Sequence, residues 1–144
     1  MAYLDKRTGR CLCGTVSFAF QPAEPEVDAC HCAMCRRWGG GPGLSVKAAG
    51  PPEVDGADHV ATFQSSAWGQ RMFCKTCGSH LFYSAPSVGY FGVSAGTLDD
   101  LTGLALTTEI FIDRKPDLYS FANATVRLTE AEFLAMVTGT PPKE

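Results

Sequence analysis

The sequence predicts a mainly β domain with one or two short helices. Three observations carry this. Short runs alternate apolar with small or polar residues, the period-two pattern of half-buried strands. Two runs flank Cys74-Lys75-Thr76-Cys77-Gly78, and a hairpin turned by a CxxC-Gly knuckle is the ordinary geometry of a zinc ribbon. A convincing helical pattern, with both a cap and an apolar face, occurs only near the C-terminal end.

In chain order, Thr15-Val16-Ser17-Phe18-Ala19-Phe20 alternates and reads as a strand. Gln21–Glu26, with two prolines, ends it and forms a loop. Gly39-Gly40-Gly41-Pro42-Gly43 is too glycine-rich for regular structure, and its backbone can take positive φ or approach a ligand closely. Leu44–Lys47 reads as a short strand and Gly50-Pro51-Pro52 as a turn. His59–Gln64 and Gln70–Phe73 read as strands around a loop at Ser65–Gly69, and His80–Tyr83 leaves the knuckle as another. Tyr90–Ser94 and Glu109–Ile112 are further strands, with a helical turn capped by Thr97 over Thr97–Leu101. In the C-terminal helix Thr129 is the cap and Glu132 its reciprocal partner. Phe133, Met136 and Val137 line one face, and Pro141-Pro142 stops it. Eight or so strands result. Trp38, Trp68, Phe73, Phe82 and Tyr83 read as core or site wall.

A chain of 144 residues is expected to form one domain. Its net charge of -3 and pI near 5.6 argue against a phosphate-backbone binder, so no nucleic-acid partner is expected. No apolar run approaches the ~20 residues a membrane-spanning helix needs, and no membrane role is expected. Met1-Ala2-Tyr3-Leu4-Asp5-Lys6-Arg7 has no apolar stretch behind its charges and is not a secretory signal. A cytoplasmic protein is therefore expected. There, clustered cysteines more often bind metal or do chemistry than form disulfides.

All seven cysteines fall into three blocks: Cys11 and Cys13, then Cys30, Cys32 and Cys35, then Cys74 and Cys77. Zinc favours thiolate, and structural sites close a tetrahedron of four ligands. Cys11, Cys13, Cys74 and Cys77 make such a set and tie the first strand to the central hairpin. Cys30, Cys32 and Cys35 supply three thiolates for a second zinc, with no obvious fourth. His31 lies between ligands, and in an extended segment its ring points away from the sulfurs. His59 or His80 can complete the set; otherwise the ion keeps an open position, as catalytic zinc does. Three thiolates make a weak Lewis acid, better suited to holding another thiol as thiolate than to activating water. Arg36 and Arg37 can offset that charge or clamp a carboxylate-bearing ligand; the plainer reading is two solvated surface arginines.

Three motif blocks in order resemble the glutathione-dependent formaldehyde-activating enzyme (GFA) family, which includes the centromere protein V group. They are Gly9-Arg10-Cys11-Leu12-Cys13-Gly14-Thr15-Val16, Cys30-His31-Cys32-Ala33-Met34-Cys35-Arg36-Arg37 and Phe73-Cys74-Lys75-Thr76-Cys77-Gly78-Ser79, with a weaker echo in Phe111-Ile112-Asp113-Arg114-Lys115-Pro116. The resemblance implies an Mss4-like, zinc-stabilised β-sheet fold and a single GFA-type domain over 1–144 with its core at about 9–137. It implies a structural zinc on Cys11, Cys13, Cys74 and Cys77 and a catalytic zinc on Cys30, Cys32 and Cys35, two ions per chain. It also implies a carbon–sulfur lyase similar to S-hydroxymethylglutathione synthase, with small-molecule partners: a low-molecular-weight thiol such as glutathione and a small aldehyde such as formaldehyde. The chain departs from the family pattern at Glu109, where a histidine is common, and at Asp117-Leu118, where an aromatic is common. The rival readings are a non-catalytic, zinc-stabilised binding module and a thiol redox or metal-buffering protein.

Overall fold

Phe18 and Phe20 are buried while Ser17 and Ala19 are half-buried, so the alternation in the sequence becomes a strand with one face on the core. A computed structural model describes residues 5–138. Among these residues it has eleven strands and two α-helices. The elements are β1 (Arg7–Arg10), β2 (Ser17–Phe20), β3 (Glu26–Cys30), α1 (Ala33–Gly39), β4 (Gly43–Lys47), β5 (Glu53–Asp55), β6 (Val60–Gln64), β7 (Gln70–Cys74), β8 (His80–Ala85), β9 (Tyr90–Ser94), β10 (Ala105–Ile110), β11 (Val126–Leu128) and α2 (Glu130–Thr138). The fold is mainly β. The chain divides into two units, which among the described residues comprise 5–26 with 45–104 and 27–44 with 105–138.

In the first unit, β2 pairs antiparallel with both β1 and β5. A second run, β4-β9-β8-β7-β6, is antiparallel throughout, with β4 joining it through Ser45–Lys47. Val16, Phe18, Phe20, Leu81, Phe82 and Val93 form the core. The Phe18 and Phe82 rings meet edge to face at 4.9 Å. Gly9 is required by close approach: a Cβ there would lie 2.5 Å from the Phe18 ring and 2.6 Å from the Thr97 carbonyl.

In the second unit, β10 lies between β3 and β11, and its pairing with β11 is parallel. Val27 and Ala29 are the inward positions of β3. Phe111 follows β10 at φ 56°, the only non-glycine residue with positive φ among the described residues. That conformation carries steric strain for an aromatic. Its ring packs on Phe133 of α2 at 5.7 Å.

Several expectations need correction. Residues 33–39 are helical, although the cysteine stretch gave no helical signal. Gly39 ends that helix, and Gly40, at φ 82°, supplies its left-handed cap. The strand placed at Glu109–Ile112 ends at Ile110, because the left-handed Phe111 breaks it. Thr97 closes a 3-10 turn at Ala95–Thr97 by donating to the Ser94 carbonyl; it does not open one. Met136 and Val137 are exposed, and only Phe133 of the expected apolar face is half-buried. Trp68 is exposed in the β6–β7 turn. The reciprocal cap holds: the Thr129 amide donates to Glu132 at 3.0 Å and the Glu132 amide to Thr129 at 3.2 Å. The expected stop at Pro141-Pro142 and the leader reading at Met1–Leu4 lie outside the described residues.

Candidate functional site

Two tight turns build the first cysteine cluster. Gly14 at φ 81° ends the turn bearing Cys11 and Cys13, and Gly78 at φ 79° ends the turn bearing Cys74 and Cys77. The four sulfurs lie within 4.8 Å of one another. Cys13 Sγ is 3.5 Å from Cys11 Sγ and 3.8 Å from Cys74 Sγ. A tetrahedral zinc with its sulfurs at about 2.3 Å spaces them about 3.8 Å apart, so the donor set fits that ion. Neighbouring groups favour anionic sulfur. The Val16 amide donates to Cys11 Sγ at 3.3 Å, and Ser79 Oγ lies 3.1 Å from Cys77 Sγ while accepting from the Leu12 amide. The Ser79 hydroxyl lowers the Cys77 thiol to about 5.

The second cluster lies where β3 passes into α1. Cys30 ends the strand and Cys32 is the helix N-cap, its sulfur accepting the Cys35 amide at 3.3 Å. The sulfurs of Cys30, Cys32 and Cys35 lie within 4.8 Å of one another. The Cys30 and Cys35 thiols, donating to Cys32, hold it down to about 2, whereas Cys32, Cys35 and burial push Cys30 far up. Three adjacent sulfurs cannot all ionise without a counter-cation, and a dication resolves that conflict, so the chemistry of this donor set also fits a metal. Among the described His, Cys, Asp and Glu side chains no fourth ligand joins the three. His59 and His80 belong to the other unit of the chain. His59 lies 3.8 Å from the Asp58 carboxylate, and burial and the charge of Arg71 lower His80.

His31 does not join the sulfurs either. It is fully buried, with Nε2 2.8 Å from Glu109 Oε1 and Nδ1 2.7 Å from the Tyr119 hydroxyl. Glu109 is buried as well; its other oxygen accepts from Thr125 at 2.5 Å and faces Arg127 Nε at 3.4 Å. Burial would raise the Glu109 carboxyl, but the bonds from Thr125 and His31 and the charge of Arg127 outweigh it, and the group lies below its ordinary value. Of Glu109, Tyr119, Thr125 and Arg127, the sequence singles out only Glu109, as a departure from the family pattern. The available signal was Glu109 itself, a carboxylate at an inward position of a strand.

Arg36 and Arg37 line one cavity of about 560 Å³ with Ala33, Pro116, Leu118 and Tyr119. Arg36 is half-buried and spends Nε on the His31 carbonyl at 3.2 Å; Arg37 is exposed. Lys115 braces the far wall. Its ammonium donates to the carbonyls of Pro116 and Tyr119 and to Ser120 Oγ, and it lies 5.2 Å over the Tyr119 ring.

A family model described as glutathione-dependent formaldehyde-activating enzyme matches residues 6–114. An "uncharacterized lyase" of Schizosaccharomyces pombe is 31% identical over 131 residues, covering 90% of this chain and 95% of the relative. A Halomonas elongata protein named "Putative glutathione-dependent formaldehyde-activating enzyme" is 32% identical over 87 residues, 54% of this chain and 55% of the relative. Among solved structures, a Rhodobacter sphaeroides protein superposes with a TM-score of 0.57 at 25% identity, over 69% of this chain and 99% of the other.

Proposed function

Because the chain belongs to the glutathione-dependent formaldehyde-activating enzyme family, we propose that it is a zinc-dependent enzyme of the carbon–sulfur lyase type. It joins a low-molecular-weight thiol such as glutathione to a small aldehyde such as formaldehyde, giving an S-hydroxymethyl adduct. The observation that carries this reading is the three-sulfur cluster of Cys30, Cys32 and Cys35 with no fourth protein ligand among the described residues. The names of the yeast and Halomonas relatives support the reaction class.

The reading assigns Cys11, Cys13, Cys74 and Cys77 to a structural zinc and Cys30, Cys32 and Cys35 to a catalytic one. Bound at the second set, the metal would keep an incoming thiol as its thiolate, the nucleophilic form. Arg36 and Arg37 receive the carboxylates of the thiol in a cavity of the size small molecules use. The aldehyde carbon is already electrophilic, so holding the two reactants together supplies much of the catalysis. The carbon–sulfur bond forms, the carbonyl π electrons pass to oxygen, and the proton given up by the thiol ends there. No oxidant or reductant is consumed.

The chain is read as one domain: each unit consists of two separated segments, so neither is a stretch of chain that can be cut away whole. None of the seven cysteines is in a disulfide, which suits a reducing, cytosolic setting.

Zinc content and X-ray absorption at the zinc edge, with and without glutathione, test the reading on the natural chain and on Cys35→Ser. Two zincs, one gaining a sulfur neighbour on addition of thiol in the natural chain only, is the expected result. One zinc, or a second zinc indifferent to thiol, would replace the enzyme with a zinc-stabilised binding module.

A further inference from the structure

His31 sits between two cysteines of the second cluster, yet both of its ring nitrogens are committed elsewhere. Nε2 pairs with Glu109 and Nδ1 with the hydroxyl of Tyr119. Burying an imidazole and a carboxylate together is expensive, and two apolar side chains would fill the same space at less cost. The chain of bonds runs from the buried carboxylate to a residue that lines the cavity bearing Arg36 and Arg37. Tyr119 is also held from other directions. Its carbonyl accepts from the Lys115 ammonium, its ring lies under that charge, and His31 and Phe121 stand beside it at 5.5 and 6.2 Å. A hydroxyl held this firmly is preorganised for a partner whose charge changes.

We propose that Tyr119 is a catalytic residue of the thiol–aldehyde addition, its hydroxyl hydrogen-bonding to the aldehyde oxygen as the carbon–sulfur bond forms. His31 and Glu109 are positioning residues that hold that hydroxyl. The inference rests on the reading above. The hydroxyl has one proton and two acceptors to choose between, His31 Nδ1 and the substrate oxygen. As π electrons collect on that oxygen it becomes the stronger acceptor, so the bond tightens in the transition state and accelerates the step. Tyr119 does not give up its proton; the oxygen receives the one released by the thiol, through water. Burial raises the Tyr119 hydroxyl above its ordinary value, which keeps it a donor at neutral pH.

The test compares Tyr119→Phe with the natural chain in two reactions of glutathione. One is addition to formaldehyde; the other is methylation by methyl iodide, where no oxygen gains charge. Zinc content, thiol-induced zinc coordination and the KM for glutathione are expected to stay as in the natural chain. The kcat for addition is expected to fall about 100-fold, the scale of losing one oxyanion donor, while methylation is unaffected. Should the phenylalanine variant lose its metal, Glu109→Gln is read the same way, with a smaller fall confined to the aldehyde reaction. Equal addition rates in Tyr119→Phe and the natural chain, or equal losses in both reactions, overturn the inference alone. A natural chain that does not accelerate addition overturns the thiol–aldehyde reading, and this inference with it.

Discussion

Nε2 of His31 lies 2.8 Å from Oε1 of Glu109, with the two side chains 0% and 1% exposed. The residues are 78 positions apart, so the pair pins β3 to β10 beside the second cysteine cluster. Glu109→Ala would strand the buried imidazole and take a partner from Thr125 and from the exposed Arg127. The expected loss is about 3 kcal/mol, the scale of breaking a buried pair from one side. Urea unfolding of the zinc-loaded protein at pH 7 measures it.

The same carboxyl sets an acid limit. Its folded value lies below the ordinary 4.5, so above that value its ionised form stabilises the fold in full. As pH falls below 4.5 and through the lowered value, the unfolded chain takes up the proton first and the contribution disappears. The stability difference between the natural chain and Glu109→Gln is therefore expected to be flat at neutral pH and to shrink on the acid side of 4.5. Denaturant titrations of both proteins over that range check it.

The two cysteine clusters are expected to respond differently to loss of a ligand. Cys77→Ser removes a sulfur from the four-membered set that joins two distant turns, and a chain without it is expected to unfold at much lower denaturant. Structural zinc contributes on the order of 10 kcal/mol in small peptides, and a fraction of that is decisive here. Cys35→Ser removes a sulfur from the set with no fourth protein ligand. It is expected to lose one zinc while keeping most of the stability. Calorimetry paired with metal analysis separates the two outcomes.

Arg37 is exposed and lines the cavity, whereas Arg36 already bonds the His31 carbonyl. Arg37→Ala is thus expected to raise the KM for glutathione about tenfold, the effect of one lost charge-assisted hydrogen bond, with kcat and melting temperature little changed. Arg36→Ala is expected to lower the melting temperature as well. Steady-state kinetics and thermal melts distinguish them.

Gly9 tests the packing of the first unit. A methyl group there would overlap the Phe18 ring and the Thr97 carbonyl. Gly9→Ala is expected to destabilise by about 1–3 kcal/mol, as overpacking does, with zinc content unchanged. A shift in the urea midpoint at constant slope is the readout.

What was legible in the sequence was what is local. The cysteine spacings marked both sulfur clusters, the CxxC-Gly knuckle its hairpin, and Thr129 with Glu132 the start of α2. The helix at 33–39 was not legible, because a thiol rather than a hydroxyl or carboxylate caps it and none of its residues is buried. The strands at Glu53–Asp55 and Val126–Leu128 are three residues each, too short to show a period. The His31 network was out of reach for another reason. Its partners stand 78 and 88 residues away in the chain, and no local pattern pairs them.

Cys13 and Cys74, 3.8 Å apart at their sulfurs, are 61 residues apart in the chain, and all of the second cluster lies between them. Once the first four sulfurs share an ion, residues 30–35 belong to a closed ring of backbone. That ring has far fewer conformations than an open chain. The outer set also offers an ion four thiolates where the inner offers three. The two sets are therefore nested in the chain, and their filling is expected to have an order. The outer clasp is expected to fill first and to release last, and a chelator should empty the inner set while the outer still holds its metal.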